Sequence, residues 1–549
     1  MSVVEQLGDL SGRWTRGRDL VAAVEVQAHV EGHEVTLRVG LGDGFPGELP
    51  HVFVRDPEPL GFIPHLEEST GWVCYQSREG LSVTLNDPLR VLGTALRFAL
   101  DVLADGIAGR NRKDVAAEIE AYWRDFARVW VPSYVVPDDD VRIIEAHCAG
   151  GRLQFLADSF EQIQQANPNA RRGAQVRWAP YIPLGRAATD AIGDPRVFRQ
   201  PGALRAFVEE HIDPTSRRDL LSRLRTRHYP LVVLGLERTE GLRSLVAIRF
   251  PRARAHPLGS RYDGGAGELV SLSRRDEPAL AARRSSGRKL PQMRVAIIGC
   301  GALGGYVSVM LGRAGIGTLL LVDPDIHRFE NASRHVLGAA RVGKPKVAAI
   351  EEHLRSTVPY LRVEAHEMHA RPAIAAEHLD KAHLVVVATD SITENRLLNR
   401  LLHVHHVPAI FTWLEPLGIG GHALLSYGGA GCYECLFLDE RGQERLTARS
   451  DFAGAGQLFA RDATGCAGTF TPFGDLDARE TALLASRLTL ETLLDRETRS
   501  TLRSWRGDPS EFRSAGYSFS ARFEQTPQQL AESQHAFAHP RCPVCAGHT

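Results

Sequence analysis

An α/β chain, with a dinucleotide-type parallel sheet in its C-terminal half, is what this sequence predicts, and three observations carry the prediction. A short apolar strand, Val295-Ala296-Ile297-Ile298, runs directly into Gly299-Cys300-Gly301-Ala302-Leu303-Gly304-Gly305. A second apolar strand, Leu319-Leu320-Leu321-Val322, ends at Asp323 and Asp325, with Asp323 nineteen residues beyond Gly304. A third, residues 384–388, ends in Thr389-Asp390-Ser391, and open parallel sheets bind ligands at the carboxyl ends of their strands. Gly299, Gly301 and Gly304 fit a loop that must turn tightly and let a phosphate or ribose approach the backbone. The helix that follows offers free N–H groups and a partial positive charge to an anion.

Alone, that glycine pattern suits an NAD or FAD enzyme equally well. The next segment changes the reading: Asn331-Ala332-Ser333-Arg334, then Gly343-Lys344-Pro345-Lys346. A dehydrogenase has no need of cations just past its ribose-binding acid. An enzyme that must neutralise a triphosphate while a carboxylate attacks it does. Lysine occurs only at positions 113, 289, 344, 346 and 381, so two in one short motif stand out.

In order and spacing, Asp323, Asp325, Asn331, Arg334, Lys346 and Ala388-Thr389-Asp390-Ser391 resemble the Rossmann-like adenylation domain of the ThiF/MoeB and ubiquitin-activating superfamily. The resemblance implies that Asp323 holds the ATP ribose. It further implies that Asn331, Arg334 and Lys346 hold the phosphates, and that Asp390 binds Mg²⁺.

A length of 549 residues predicts about three domains, and 43% apolar with 24% charged residues is ordinary for a globular chain. A net charge of −1 argues against non-specific binding to nucleic acid or an acidic membrane surface. No run of 18 apolar residues and no basic-then-apolar leader occurs, so a cytoplasmic location is expected. Eight cysteines in that setting read as metal or catalytic groups rather than disulfides. Cys432-Tyr-Glu-Cys435 and Cys542-Pro-Val-Cys545 could together complete a closed tetrahedral Zn²⁺ site, which many members of the superfamily carry.

Residues 1–137 form the first block. A short N-terminal helix, strands over 21–30 and 34–40, a Phe45-Pro46…Leu49-Pro50 turn, a strand at 51–54 and helices over 88–104 and 115–129 are expected. This α+β order resembles a ubiquitin-conjugating domain, with His65-Leu66-Glu67 in place of its HPN segment and Cys74 in place of its nucleophile. Glu67 stands where the family has an asparagine, and a carboxylate there would repel a developing oxyanion.

Residues 138–270 are a mixed middle domain of helices (158–166, 204–224) and strands (230–235, 244–250). No catalytic constellation is evident in it, and Cys148 beside His147 reads as packing. Residues 271–292 read as a polar connector. In dimeric relatives an arginine upstream of the glycine loop reaches the partner's nucleotide, a role that falls to Arg283 or Arg284. Residues 293–549 are the adenylation domain. Its polar loop, 441–464, leads to Cys466, followed by an apolar helix over 479–494. Activating enzymes of the superfamily carry their thioester cysteine on such a crossover, and a helix N-terminus favours the thiolate.

The three-part layout resembles the fused activating–conjugating proteins of bacterial CBASS antiphage operons, over nearly the whole chain. That resemblance implies ATP-dependent adenylation of a protein C-terminus, from a CD-NTase or a ubiquitin-like protein. Thioester capture on Cys466, transfer to Cys74, attachment to a target lysine and homodimerisation through the adenylation domain follow from it. The competing reading is a sulfur-carrier adenylyltransferase whose N-terminal domain only binds.

Overall fold

The computed structural model describes residues 20–76, 85–223, 229–238, 242–252, 255–259, 262, 265–284, 289–371, 379, 381–462 and 469–546. The expected N-terminal helix and Cys466 lie outside these residues. The chain forms two compact units, Met1–Phe160 with Arg171–Arg275, and Glu161–Ala170 with Asp276–Thr549.

The first unit begins with an antiparallel sheet of β1 (Leu20–Val30), β2 (His33–Gly42), β3 (His51–Val54), β4 (Leu66–Glu67) and β5 (Trp72–Val73), in the order β1-β2-β3-β5-β4. Glu31 and Gly32 join β1 to β2 with φ of 48° and 84°, the left-handed pair that matches strand twist in a two-residue hairpin. Helix α1 (Pro88–Ile107) starts where the Asp87 carboxylate accepts from Arg90 N at 3.0 Å. Its buried residues Val91, Ala95, Ala99 and Leu103 recur every four positions, and Ala99 and Leu103 cluster with Leu37, Val39, Val52 and Val54 of the sheet.

The same unit contains a closed barrel of β6 (Val129–Ser133), β7 (Arg142–Ala149), β8 (Arg152–Ala157), β9 (Gln175–Leu184), β10 (Leu231–Glu237), β11 (Arg243–Arg249) and β12 (Glu268–Arg274). Parallel pairing of β9 with β10 closes it. Helix α2 (Arg112–Phe126) packs Val115, Ile119, Tyr122 and Trp123 into the barrel's apolar cluster, and Trp123 Nε1 donates to Ala247 O at 3.0 Å. Burying a side chain of that size stabilises by about 3 kcal/mol. The barrel thus takes up α2 and β6, which the sequence reading placed in the first block, and β12, which it placed partly in a polar connector. The helix expected over 204–224 is instead two, α3 (Pro201–His211) and α4 (Pro214–Arg223). Pro214 cannot continue the first, and Asp213 caps the second by accepting from Ser216 N at 2.8 Å. Cys148 and His147 are both buried, and His147 Nε2 bonds Glu145 at 2.8 Å, so this pair does pack the barrel.

The second unit is built on a seven-stranded sheet. Its strands are β13 (Arg294–Ile298), β14 (Thr318–Val322), β15 (Arg362–His366), β16 (Leu384–Val387), β17 (Ala409–Leu414), β18 (Gly420–Ser426) and β21 (Thr501–Arg506), in the order β15-β14-β13-β16-β17-β18-β21. The five strands from β15 to β17 in that order are parallel, β18 runs antiparallel to β17, and β21 pairs antiparallel with β18. A short antiparallel ladder pairs β19 (Arg461–Asp462) with β20 (Thr469–Phe470). Val295, Ala296, Ile297 and Ile298 are all buried, as continuous apolar strands are when both faces of a sheet are covered. Helices α5 (Ala302–Ala314), α6 (Lys346–Thr357), α7 (Ile392–Val404) and α8 (Asp475–Leu493) supply the cover. The order reverses at β13, which lies between β14 and β16, and that is the crevice where such sheets bind ligands. Among the described residues no helix is long and apolar enough to cross a membrane.

Candidate adenylation site

The crevice is floored by the glycine loop. Gly299 has φ of 86°, and a Cβ on it would lie 2.7 Å from Ala388 O, so only glycine admits the 388–390 loop this close. A Cβ on Gly304 would lie 1.8 Å from Gly299 O. Gly301, the N-cap of α5, is different: among the described residues a Cβ there would meet no neighbouring atom within 4 Å. Protein packing therefore accounts for Gly299 and Gly304 but not for Gly301, which borders open space at a helix N-terminus. That cradle fits an anionic nucleotide.

At the end of β14, the buried Asp323 accepts from Cys300 N at 2.6 Å through Oδ2 and from Asp325 N at 2.8 Å through Oδ1. One carboxylate thus joins two strand ends. Lys346, at the start of α6, sets its Nζ 2.7 Å from Asp325 Oδ2 and 3.7 Å from Asp323 Oδ2. Its backbone N–H donates to Asp325 O at 2.9 Å. A nearly buried carboxylate needs such a counter-charge. Lys344 does not join the cluster, because its Nζ pairs with Glu352 at 2.6 Å.

Asn331 ends a 3-10 turn, Phe329–Asn331, and its Oδ1 accepts from Arg328 N at 3.2 Å. Arg334 N donates to Asn331 O at 3.0 Å, and the Arg334 guanidinium lies 4.8 Å over the Phe473 ring. Asp390 is exposed beyond the end of β16. Its neighbour Thr389 is fixed by buried Asn395, which accepts from Thr389 Oγ1 at 2.6 Å and donates to Thr389 O at 3.2 Å.

Two contributors escaped sequence reading. One is Asn395. The other is His335, which is buried and bonds Cys300 O at 2.9 Å through Nε2, while Nδ1 accepts from Leu337 N at 3.2 Å. These bonds assign the proton to Nε2. Burial is the main reason its pKa falls to about 4, with His327 and Lys346 nearby adding to the effect. The Asn-x-x-Arg-His order was the available signal, since it puts the imidazole one residue past the expected phosphate-binding arginine.

Arg284 packs against Gly315, the left-handed C-cap of α5, and Arg283 is exposed. Gly315 ends a 13-residue helix, which places Arg284 about 20 Å along its axis from the glycine loop.

The sulfurs of Cys432, Cys435, Cys542 and Cys545 lie within 4.8 Å of one another, and all four residues are buried. Sγ pairs are 3.7 Å (Cys432–Cys542) and 3.4 Å (Cys435–Cys545) apart. Tetrahedral Zn²⁺ with bonds near 2.3 Å needs sulfurs about 3.8 Å apart, so the set fits that ion. Asn399 Nδ2 and His539 N each donate to one of the sulfurs at 3.4 Å. In the first unit, Cys74 is half-buried and its N–H donates to His65 O at 2.8 Å. The β4–β5 hairpin brings His65-Leu66-Glu67 beside it. Glu67 is turned to its own loop, where its Oε2 accepts from Thr70 Oγ1 at 2.5 Å.

Residues 278–516 match the ThiF family, and residues 15–131 match prokaryotic E2 family B. The chain is similar to a Pseudomonas aeruginosa protein named ATP-dependent ubiquitin transferase-like protein Cap2, at 27% identity over 81% of this chain and 82% of that one. An Escherichia coli protein of the same name is 24% identical, over 91% and 89% of the two chains. The E. coli sulfur carrier protein ThiS adenylyltransferase is 28% identical but matches only 34% of this chain and 78% of its own.

Proposed function

We propose that this chain, a fused transferase of the ubiquitin-activating and ubiquitin-conjugating kind with a ThiF domain joined to a prokaryotic E2 domain, adenylates the C-terminus of a protein and passes the acyl group through two cysteines to a lysine. The observation that carries the proposal is the crevice at β13, β14 and β16. There an open-faced Gly301, the Asp323–Lys346–Asp325 cluster and the Asp390 loop stand at adjacent strand ends.

In this reading Asp323 binds the ribose of ATP, while Asn331, Arg334 and Lys346 hold its phosphates. Lys346 exchanges its carboxylate partner for phosphate oxygen as the nucleotide enters. Asp390, and Asp325 once Lys346 has left it, would hold Mg²⁺, which when bound offsets charge on the phosphates. The substrate carboxylate attacks the α-phosphorus and pyrophosphate leaves. Arg334 and Lys346 stabilise the added negative charge, which is greatest in the transition state. The Cys466 thiolate then attacks the acyl carbon and AMP leaves. Cys74 attacks that thioester, which regenerates the Cys466 thiol. A lysine amine finally attacks the Cys74 thioester, forming an amide and freeing the thiol. Carrying both cysteines on one chain raises their mutual concentration, to the order of mM for a flexible tether that spans the gap.

The substrate in this reading is a CD-NTase or a ubiquitin-like protein in antiphage defence, as the resemblance of the three-part layout implies. Homodimerisation through the adenylation domain belongs to the same reading, and exposed Leu476 and Leu483, seven residues apart on α8, are surface that such an interface would cover. The test is trapping: incubate the full chain with ATP and a candidate CD-NTase, and resolve thiol-sensitive adducts. The expected result is an adduct on Cys466 that persists in Cys74→Ala and one on Cys74 that disappears in Cys466→Ala. Full product formation by Cys74→Ala would favour the sulfur-carrier reading instead.

A further inference from the structure

Helix α7 touches both the Asp390 loop and the four-cysteine cluster, and it does so with side chains on adjacent turns. Ser391 caps it, accepting from Glu394 N at 3.2 Å, so the residue after Asp390 is the N-cap of the helix. One turn in, Asn395 grips Thr389 through both its amide groups. Arg396, the next residue, forms a two-nitrogen pair with Glu434, at 3.1 Å from Nε and 2.6 Å from Nη2. Arg400 adds a third contact to Glu434 at 3.1 Å. Asn399 donates to Cys432 Sγ at 3.4 Å and accepts from Tyr433 N at 3.1 Å.

Tyr433 and Glu434 are the two residues between Cys432 and Cys435, and both are buried. The Tyr433 ring stacks on Phe411 of β17 with centroids 4.6 Å apart, so the knuckle is fixed to the sheet on one side and, through Tyr433 N and Asn399, to α7 on the other. A carboxylate with 1% of its side chain exposed is costly unless paired, so Glu434 holds α7 in one position along its axis.

We infer that the Cys432–Cys435 knuckle positions the Asp390 loop: Tyr433 and Glu434 fix the rotation and height of α7, and Asn395 on α7 fixes the backbone of Thr389-Asp390. This rests on the adenylation reading, in which Asp390 meets the metal–nucleotide. The four-thiol centre is then more than a staple between distant segments. It sets the nucleotide site through residues that contact neither nucleotide nor zinc. Tyr433 and Glu434 are positioning residues, and disordering the knuckle shifts the loop that carries Asp390.

The experiment uses the full chain and two variants that keep every thiol, Tyr433→Leu, which removes the ring stacked on Phe411, and Glu434→Gln. Zinc content is measured by elemental analysis, and Mg·ATP affinity by calorimetric titration, with Mg-free ATP as the comparison. The expected result is unchanged zinc content with a three- to tenfold weaker Kd for Mg·ATP. Mg-free ATP should lose much less, because the defect lies at Asp390. In pyrophosphate exchange the loss should fall on the KM for Mg·ATP more than on kcat. Zinc-replete variants that bind Mg·ATP as tightly as the parent overturn the coupling and leave the adenylation reading standing. A parent chain that does not bind Mg·ATP overturns both.

Discussion

The imidazole of His335 donates to the carbonyl of Cys300 at 2.9 Å and so braces the glycine loop from beneath. His335 is buried and neutral, with its pKa depressed from 6.5 to about 4. In the unfolded chain it protonates as pH falls below 6.5, whereas in the fold it resists until about 4. The native state is therefore favoured above 6.5 and loses that advantage between 6.5 and 4. The full difference is on the order of 3 kcal/mol. His335→Gln keeps a donor for Cys300 O but cannot titrate. Denaturant unfolding followed from pH 7 to pH 4 should show the parent losing stability relative to the variant by about that amount. Parallel pH profiles for the two would remove His335 as the source.

Gly301 and Gly304 should respond in opposite ways to the same added methyl. At Gly304 a Cβ lies 1.8 Å from Gly299 O, a backbone atom that cannot move aside. Gly304→Ala should lose about 3 kcal/mol or more of stability, the cost of overpacking against backbone. At Gly301 the methyl enters open space and φ is −76°, which any residue adopts. Gly301→Ala should melt like the parent yet bind ATP at least about tenfold more weakly, because the methyl occupies the place of the anion. Thermal melts and ATP titrations on both variants distinguish the outcomes.

The elements legible in the sequence are those whose cause is local. Gly299 and Gly304 announce a tight turn because no other residue fits. Asp323 and Asp390 end runs of apolar strand, and the paired CxxC spacings give thiols that the fold does bring together. His335 and Asn395 were missed because their work is defined by what they meet. His335 meets Cys300 across 35 positions, and nothing in its own neighbourhood marks that bond. The barrel was illegible for the same reason at larger scale. Its closure depends on β9 pairing with β10 across about fifty residues and on β6 joining β12, so α2 and β6 looked like the tail of the preceding block.

Removing metal should destabilise the second unit as a whole. Cys432 and Cys435 sit beneath α7, while Cys542 and Cys545 lie near the end of the chain, 110 positions on. A bound ion closes that long loop, and its loss leaves four buried thiols with only weak hydrogen bonds between them. Cys545→Ser should lose zinc and unfold several degrees lower, corresponding to at least about 2 kcal/mol. Chelation of the parent should reproduce the shift, while the variant should be indifferent to chelator. Elemental analysis with melting curves reads both.

Lys346 is held between two carboxylates, and its removal should weaken nucleotide binding as well as lower stability. Lys346→Met keeps the aliphatic stem but leaves Asp323 and Asp325 facing one another without a cation. Phosphates would then approach uncompensated negative charge, and ATP binding should weaken by about a hundredfold, the scale of a partly buried charge pair. Lys346→Arg should recover only part of this, since a planar fork cannot replace a point charge between two acids. Equilibrium ATP titration of the three proteins gives the order.

Tyr122 should separate the two half-reactions. Its hydroxyl accepts from His65 N at 3.1 Å and donates to Glu118 Oε2 at 3.0 Å, while the His65 ring lies 3.3 Å from Asp114 and 3.4 Å from Glu118. His65 itself is held at φ of 65° and accepts from Cys74 N through its carbonyl. Helix α2, anchored in the barrel by Trp123, thus clamps a residue whose backbone carbonyl holds the Cys74 N–H. Tyr122→Phe leaves the His65 N–H without its partner, at a cost of about 1–2 kcal/mol, and loosens the left-handed turn. The variant should carry out ATP–pyrophosphate exchange at the parent rate but accept the acyl group on Cys74 several-fold more slowly. Equal rates of Cys74 adduct formation in variant and parent would show that α2 only supports the barrel and does not set the reactive loop.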